Sequence, residues 1–192
     1  SMSIYSVDEF LTPERYEEIR IKRIKDIAEL KKSRRIDYGE RFSFLFENRE
    51  TVKHQIQETI YLDNLQRPED MIEVINTYEP MVPSSNELSL TVFINIYNEE
   101  EMRTLLPRFK GIENSISLRI DDRKIKGEPI YPEKSKETTR SIHYLKFKFS
   151  PSDLNIIKGA KRMSIIVEHP EIRDEIEVPQ KVLLSVIKDL NL

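Results

Sequence analysis

The residues best suited to chemistry concentrate in one predicted helix, over residues 48–65. At about 100° per residue, Glu47, Thr51, His54 and Glu58 fall on one narrow stripe along that helix. Two carboxylates and an imidazole at this spacing can chelate a divalent metal or act as a paired acid and base. The same pattern is typical of a hydrated helix face on which His54 and Glu58 pair at i,i+4. The residues alone leave both interpretations open.

The other two histidines lie in predicted strands, and the alternation there indicates which way they point. His143 is in phase with the apolar residues of 145–149, and His169 is in phase with those of 163–167. We expect both imidazoles on the inner face of one sheet, where Glu47 and Glu58 from the covering helix would complete a metal site with an open position. A histidine hydrogen-bonded within the core is the alternative.

The elements that must position these groups follow from hydrophobic periodicity and from helix-starting prolines. Helices are predicted from 13 to about 33, where a broad apolar arc runs along one side, over 48–65 and over 68–80. Further along the chain, strands and short helices alternate. The strands are predicted near 88–96, 115–121, 124–131, 141–149, 162–168 and 174–178, and the short helices near 99–108 and 150–158.

Helices first and hairpin-linked strands later are typical of an α+β fold. We predict a helical N-terminal part packed on a mostly antiparallel sheet, with a C-terminal helix. The 192 residues correspond to one domain. This single domain, 1–192, comprises a mainly helical part (13–80), a sheet-forming part (86–178) and a C-terminal helix (179–190).

Composition excludes several classes of function. The chain has no cysteine, which excludes disulfides, thiolate metal sites and a cysteine nucleophile. Its four glycines form neither a dinucleotide-binding nor a nucleotide-binding loop, so no nucleotide or flavin motif is present. No apolar segment approaches the roughly 20 residues that span a bilayer. We therefore expect a cytoplasmic protein that does not bind membranes.

The first helix and the KKSRR segment after it are the most basic part of the chain. Residues 13–35 carry nine basic and five acidic side chains, whereas the whole chain has a net charge of −3. Arg34 and Arg35 are therefore candidate phosphate ligands. A specific nucleic-acid domain is usually far more basic overall, so we expect nucleic acid not to be the partner.

Residues 42–58, FSFLFENRETVKHQIQE, resemble a prokaryotic family known as domain-of-unknown-function family 3501. The resemblance extends over nearly the whole chain, including the YEPMVP segment and the histidine-bearing strands. His54 departs from the family pattern, in which an aromatic residue is expected. The resemblance implies a cytoplasmic protein linked to rubrerythrin-like or iron–sulfur redox proteins, and it implies no established activity. The residues that match the family pattern are Glu47, Asn48, Arg49, Thr51, Gln55, Glu58, His143 and His169.

Residues 42–58 contain polar side chains within an otherwise apolar segment. Such side chains are costly to bury unless they are hydrogen-bonded or bind a ligand. We therefore predict a binding or accessory protein without turnover of its own, serving a redox or metal-handling partner. Its polar pocket would be formed by Asn48, Arg49, Thr51, Gln55 and Glu58. The alternative is a hydrolytic or oxidative enzyme dependent on a divalent metal, with Glu47, Glu58, His143 and His169 as ligands. The second alternative is nucleic-acid binding through the basic first helix.

Overall fold

The computed structural model of the protein describes residues 3–190 and residue 192. The helices are α1 (Pro13–Lys31), α2 (Arg49–Leu62), α3 (Pro68–Tyr78), α4 (Glu99–Thr104), α5 (Pro151–Ile157) and α6 (Gln180–Ile187). The strands are β1 (Arg35–Tyr38), β2 (Phe42–Glu47), β3 (Glu87–Ile94), β4 (Ile116–Ile120), β5 (Arg123–Lys126), β6 (Glu128–Pro129), β7 (Ile142–Lys148), β8 (Met163–His169) and β9 (Ile172–Glu177). This content confirms the α+β class and the C-terminal helix.

The strands form two antiparallel sheets. The first sheet has the order β1-β2-β3-β7-β6, and the second has the order β5-β4-β8-β9. One apolar core joins them, with Phe44, Leu90 and Phe147 from the first sheet and Leu118 and Ile165 from the second. Helix α6 contributes further buried side chains to the same core. The sequence predicts the strands beyond residue 87, but it predicts neither β1 nor the division of the strands between two sheets.

The predicted strand over 124–131 changes sheets at Gly127. Its first part is β5, at the edge of the second sheet, and its second part is β6, at the edge of the first. A Cβ atom at Gly127 would lie 3.0 Å from the ring of Phe147 and 3.2 Å from the carbonyl oxygen of Ile116. Only glycine allows the chain to pass between the two sheets this closely.

A second, smaller core lies within the helical part. Val52, Ile56 and Ile60 of α2 are fully buried there, together with apolar residues of α3 and of the N-terminal segment. Tyr144 of β7 packs against this core from the side of its strand opposite to His143 and Leu145. The helical part therefore covers the outer face of the first sheet.

Helix α1 contributes little to either core. It forms over the predicted residues, but only Pro13 and Tyr16 of its 19 residues are buried. From residue 17 to residue 33 every side chain is partly or fully exposed. The apolar arc of this helix therefore does not face the interior. Within the part of the chain that the structure describes, no helix is long and apolar enough to cross a membrane.

Candidate functional site

The start of α2 carries a closed hydrogen-bond network. Asn48 and Thr51 form a reciprocal cap, in which each side-chain oxygen accepts a hydrogen bond from the other residue's backbone N–H at 2.9 Å. The hydroxyl of Thr51 also donates to Glu47 Oε1 at 2.6 Å, and that of Thr91 donates to Glu47 Oε2 at 2.5 Å. Burial raises the pKa of the Glu47 carboxyl, although both hydroxyls oppose the shift. The Glu47 carboxylate is thus held within the protein.

Arg49 contacts the N-terminal segment. Its guanidinium donates to Glu9 Oε1 at 2.7 Å and lies 4.7 Å from the centre of the Tyr5 ring. The hydroxyl of Tyr5 donates to the backbone carbonyl of Arg49 at 2.6 Å. Arg49 therefore binds the N-terminal segment, residues 4–9, to the start of α2.

Glu58 and Gln55 bind two other parts of the fold. The Glu58 carboxylate accepts the hydroxyl proton of Tyr16 at 2.7 Å and two N–H bonds from Arg20 at 2.8 and 3.0 Å. The bond from Arg20 lowers the pKa of Glu58. Gln55 donates to the hydroxyl of Tyr144 at 3.3 Å.

The residues predicted to share one pocket thus contact four different parts of the molecule. Most of them complete hydrogen bonds that attach α2 to its neighbours. The set consists of Asn48, Arg49, Thr51, Gln55 and Glu58.

The two strand histidines also lie apart. His143 is on β7 of the first sheet and His169 is on β8 of the second, so the expectation that both lie on one sheet is wrong. His169 Nε2 donates to the carbonyl of Lys110 at 2.7 Å, and its Nδ1 accepts the amide N–H of Glu171 at 3.1 Å. Both of its ring nitrogens are therefore occupied. Alternation along a strand indicates a face but not a sheet, which explains the error.

His143 keeps one ring nitrogen without a hydrogen bond among the described residues. Its Nε2 lies 2.9 Å from the carbonyl oxygen of Arg140 and 2.8 Å from the hydroxyl of Thr139. Burial lowers the pKa of His143, so the imidazole is neutral. In residues 3–190 and 192, no group of three or more His, Asp or Glu side chains is arranged to hold a metal ion. In particular, Glu47, Glu58, His143 and His169 are not brought together.

Glu113 carries a buried carboxylate that the sequence does not predict. The side chain is 7% exposed, and its Oε2 has no hydrogen-bond partner within the described part of the chain. Its negative charge acts on His143 and opposes the lowering of the imidazole pKa. Glu113 lies in a short 3₁₀ turn after Gly111, and no periodic pattern marks its burial.

The predicted phosphate ligands Arg34 and Arg35 have opposite environments. Arg34 is 2% exposed, donates to the backbone carbonyls of Phe46 at 2.7 Å and Glu47 at 3.3 Å, and forms an ion pair with Asp189. Arg35 is exposed and pairs with Asp37 on its own strand at 3.1 Å. Arg34 is therefore inaccessible to a nucleic acid.

An open groove lies between α1 and α2. Its volume is about 470 Å³. His54 lies in it, half-buried, and its imidazole makes no hydrogen bond within the described part of the chain. Burial lowers the pKa of His54, while Glu58 acts in the opposite direction. The lining residues are Glu9, Leu11, Tyr16, Arg23, Asp26, Ile27, Leu30, Glu50, Lys53, His54 and Gln57.

The charged side chains that line this groove differ in whether they form ion pairs. Lys53 lies 3.7 Å from Glu9, and Asp26 is bound by Lys22 at 2.9 Å. Arg23, by contrast, forms no ion pair with any carboxylate among the residues that the structure describes. The groove thus presents a guanidinium and a neutral imidazole that are free to interact, beside partly exposed apolar residues.

Comparison with known proteins agrees with the fold. The chain matches the model of a family described as "Protein of unknown function (DUF3501)" over residues 5–190. It is similar to a novel protein of unknown function from Burkholderia pseudomallei K96243, whose crystal structure superimposes with a TM-score of 0.89 at 27% sequence identity. That match covers 99% of this chain and 100% of the other. No curated protein matches the chain.

Proposed function

We propose that this chain, which belongs to the DUF3501 family, is a binding protein that holds an acidic segment of a partner protein in the groove between α1 and α2. The observation that carries the proposal is that the guanidinium of Arg23 and the imidazole of His54 line the same groove, and that neither has a hydrogen-bond or ion-pair partner among residues 3–190 and 192. A carboxylate entering the groove would satisfy both groups.

The apolar part of the groove supports a protein segment as the ligand. Leu11, Ile27 and Leu30 line it and remain partly exposed. Amphipathic segments are commonly held in such helix-flanked grooves by apolar anchors and are oriented by charges at the edge. The volume falls within the usual range of about 300–1,000 Å³ for binding sites.

The proposed role is that of an accessory protein without turnover of its own, acting in the cytoplasm. The family resemblance implies a redox or metal-handling protein as the partner. An acidic surface segment of such a protein would bring a carboxylate to Arg23 and His54.

A nuclear magnetic resonance titration of the ¹⁵N-labelled protein tests this proposal. The probe is a synthetic amphipathic peptide rich in Glu and Leu, and the control probe carries Lys in place of each Glu. We expect the acidic peptide to shift amide signals of the groove residues in α1 and α2. It should also raise the pKa of His54, because a neighbouring carboxylate favours the imidazolium form.

Two variants with the same change of charge provide the control. Arg23→Glu should abolish the shifts, whereas Arg15→Glu, on an exposed part of α1 outside the groove, should preserve them. Equal responses to both peptides, or binding that survives Arg23→Glu, would contradict the proposal.

A further inference from the structure

A second side of α1, distinct from the groove, carries apolar residues that nothing in the described structure covers. Ile21 is 73% exposed and Ile24 is 39% exposed, and Ala28 is also exposed. Single exposed apolar residues are common on protein surfaces, but these three recur on one side of a helix. A helix of this length usually depends on packing of its apolar face for stability.

The exposed residues belong to a longer stripe with the spacing of a coiled coil. Steps of three and four residues alternate along it, which is the a and d spacing of a heptad repeat. We name this stripe the α1 seam; it consists of Glu14, Glu17, Ile21, Ile24, Ala28 and Lys31. It extends for about 26 Å at a rise of 1.5 Å per residue.

The α1 seam is complementary to itself in the antiparallel direction. When a two-fold axis passes between residues 22 and 23, Ile21 meets Ile24 of the second copy. Glu17 then meets Ala28. Glu14, whose carboxylate also accepts a hydrogen bond from Gln66 at 2.7 Å, meets Lys31. Each acidic or apolar position thus faces a basic or apolar one, and no two like charges face each other along the seam.

The residues that flank the seam add to this complementarity. Glu18 and Lys25 occupy equivalent flanking positions, and both are exposed. In the antiparallel arrangement, each Glu18 lies within about 3 Å, along the helix axis, of Lys25 from the other copy. Such flanking pairs determine partner choice and orientation in coiled coils.

We propose that the α1 seam is a self-association surface, through which two copies of this chain pair by their α1 helices in antiparallel orientation. The charge complementarity selects a second copy as the occupant. The apolar part is short, so the dimer should be weak, with a dissociation constant in the micromolar range. The inference does not rest on the groove, because Ile21, Ile24, Glu18 and Lys25 lie outside the groove lining. Only Lys31, at the end of the seam, lies near the groove, where its charge adds to the effect of burial in lowering the pKa of His54.

Sedimentation velocity of the full chain over a range of concentrations tests the proposal. We expect a reversible monomer–dimer equilibrium. Ile21→Glu should weaken it by about tenfold or more, because a two-fold axis repeats the substitution in both copies. Leu184→Glu is the matched control, since Leu184 is 63% exposed on α6, and it should leave the equilibrium unchanged.

Charge reversal provides a test that does not depend on apolar burial. Glu18→Lys alone and Lys25→Glu alone should each weaken self-association by about tenfold, since each places like charges together twice. A mixture of the two variants should form a heterodimer, because both flanking pairs become attractive again. Circular dichroism would verify that each variant folds.

Several outcomes would overturn the proposal. A wild-type chain that remains monomeric at every concentration would do so. A dimer that is insensitive to Ile21→Glu would also do so, because another surface would then form it. Failure of the two charge-reversed variants to pair in the mixture would exclude the antiparallel register.

Discussion

Arg34, a buried arginine just after the end of α1, allows a direct test of one set of contacts that stabilise the fold. Arg34→Ala removes two hydrogen bonds to backbone carbonyls of β2 and the ion pair with Asp189. The side chain of Asp189 is only 13% exposed, so the substitution leaves a buried carboxylate without its cation. Removal of one partner from a buried pair costs about 3–5 kcal/mol. We expect a decrease of this size in the free energy of unfolding at pH 7.

The pH dependence of this effect follows from Asp189. Burial raises the pKa of its carboxyl in the wild-type protein, although Arg34 opposes the shift. Loss of Arg34 should raise the folded-state pKa further, so the folded variant binds a proton more readily than the unfolded chain. The destabilisation should therefore be largest at neutral pH and decrease as the pH falls through the variant's Asp189 pKa.

Urea unfolding followed by circular dichroism measures both effects, and the adjacent arginine is the control. Arg35 is exposed and paired on the surface, so Arg35→Ala should change the free energy of unfolding by less than about 1 kcal/mol. A loss below about 1 kcal/mol for Arg34→Ala, or equal losses for the two variants, would refute the assignment of Arg34 as a buried structural cation.

Two further substitutions test other polar contacts by the same unfolding measurement. Tyr16→Phe removes the hydroxyl that donates to Glu58 and should lower the free energy of unfolding by about 1 kcal/mol. The lowered pKa of Glu58 means that this loss should fade below about pH 4.5, and a loss that persists in acid would contradict it. Glu113→Gln removes a buried charge with an unpartnered oxygen and should raise the free energy of unfolding by about 1 kcal/mol, whereas destabilisation would indicate an essential carboxylate.

The helices of the N-terminal part could be predicted from the sequence because apolar spacing and helix-starting prolines depend only on neighbouring residues. The apolar spacing of α2 predicts the face that contains Val52, Ile56 and Ile60, and all three are fully buried. The candidate stripe is divided between Glu47, at the end of β2, and Thr51, His54 and Glu58 on α2. The sequence does not predict the partners of these side chains, because Thr51 binds Glu47 whereas Glu58 binds α1. Glu58, for example, binds residues 38 and 42 positions away in the sequence.

Features that depend on distant partners could not be predicted. Arg34 and Asp189 are 155 residues apart, and nothing in the KKSRR segment distinguishes a buried arginine from an exposed one. The need for glycine at residue 127 comes from the ring of Phe147 and the carbonyl oxygen of Ile116, which the local alternation does not include. Glu113 likewise lies in a turn whose burial depends on the strands around it.

The attachment of α1 explains why one helix provides both the groove and the α1 seam. Near its start, Tyr16 and Arg20 bind Glu58; just after its end, Arg34 binds β2 and Asp189. No residue between 17 and 33 is fully buried, and these polar contacts add to the half-buried packing of Ile27 and Leu30. One side of α1 then borders the groove, and another side presents the α1 seam to solvent. Because the proposed binding groove and the α1 seam both depend on the position of α1, Arg34→Ala, which removes the contacts just after the end of this helix, should weaken both proposed interactions.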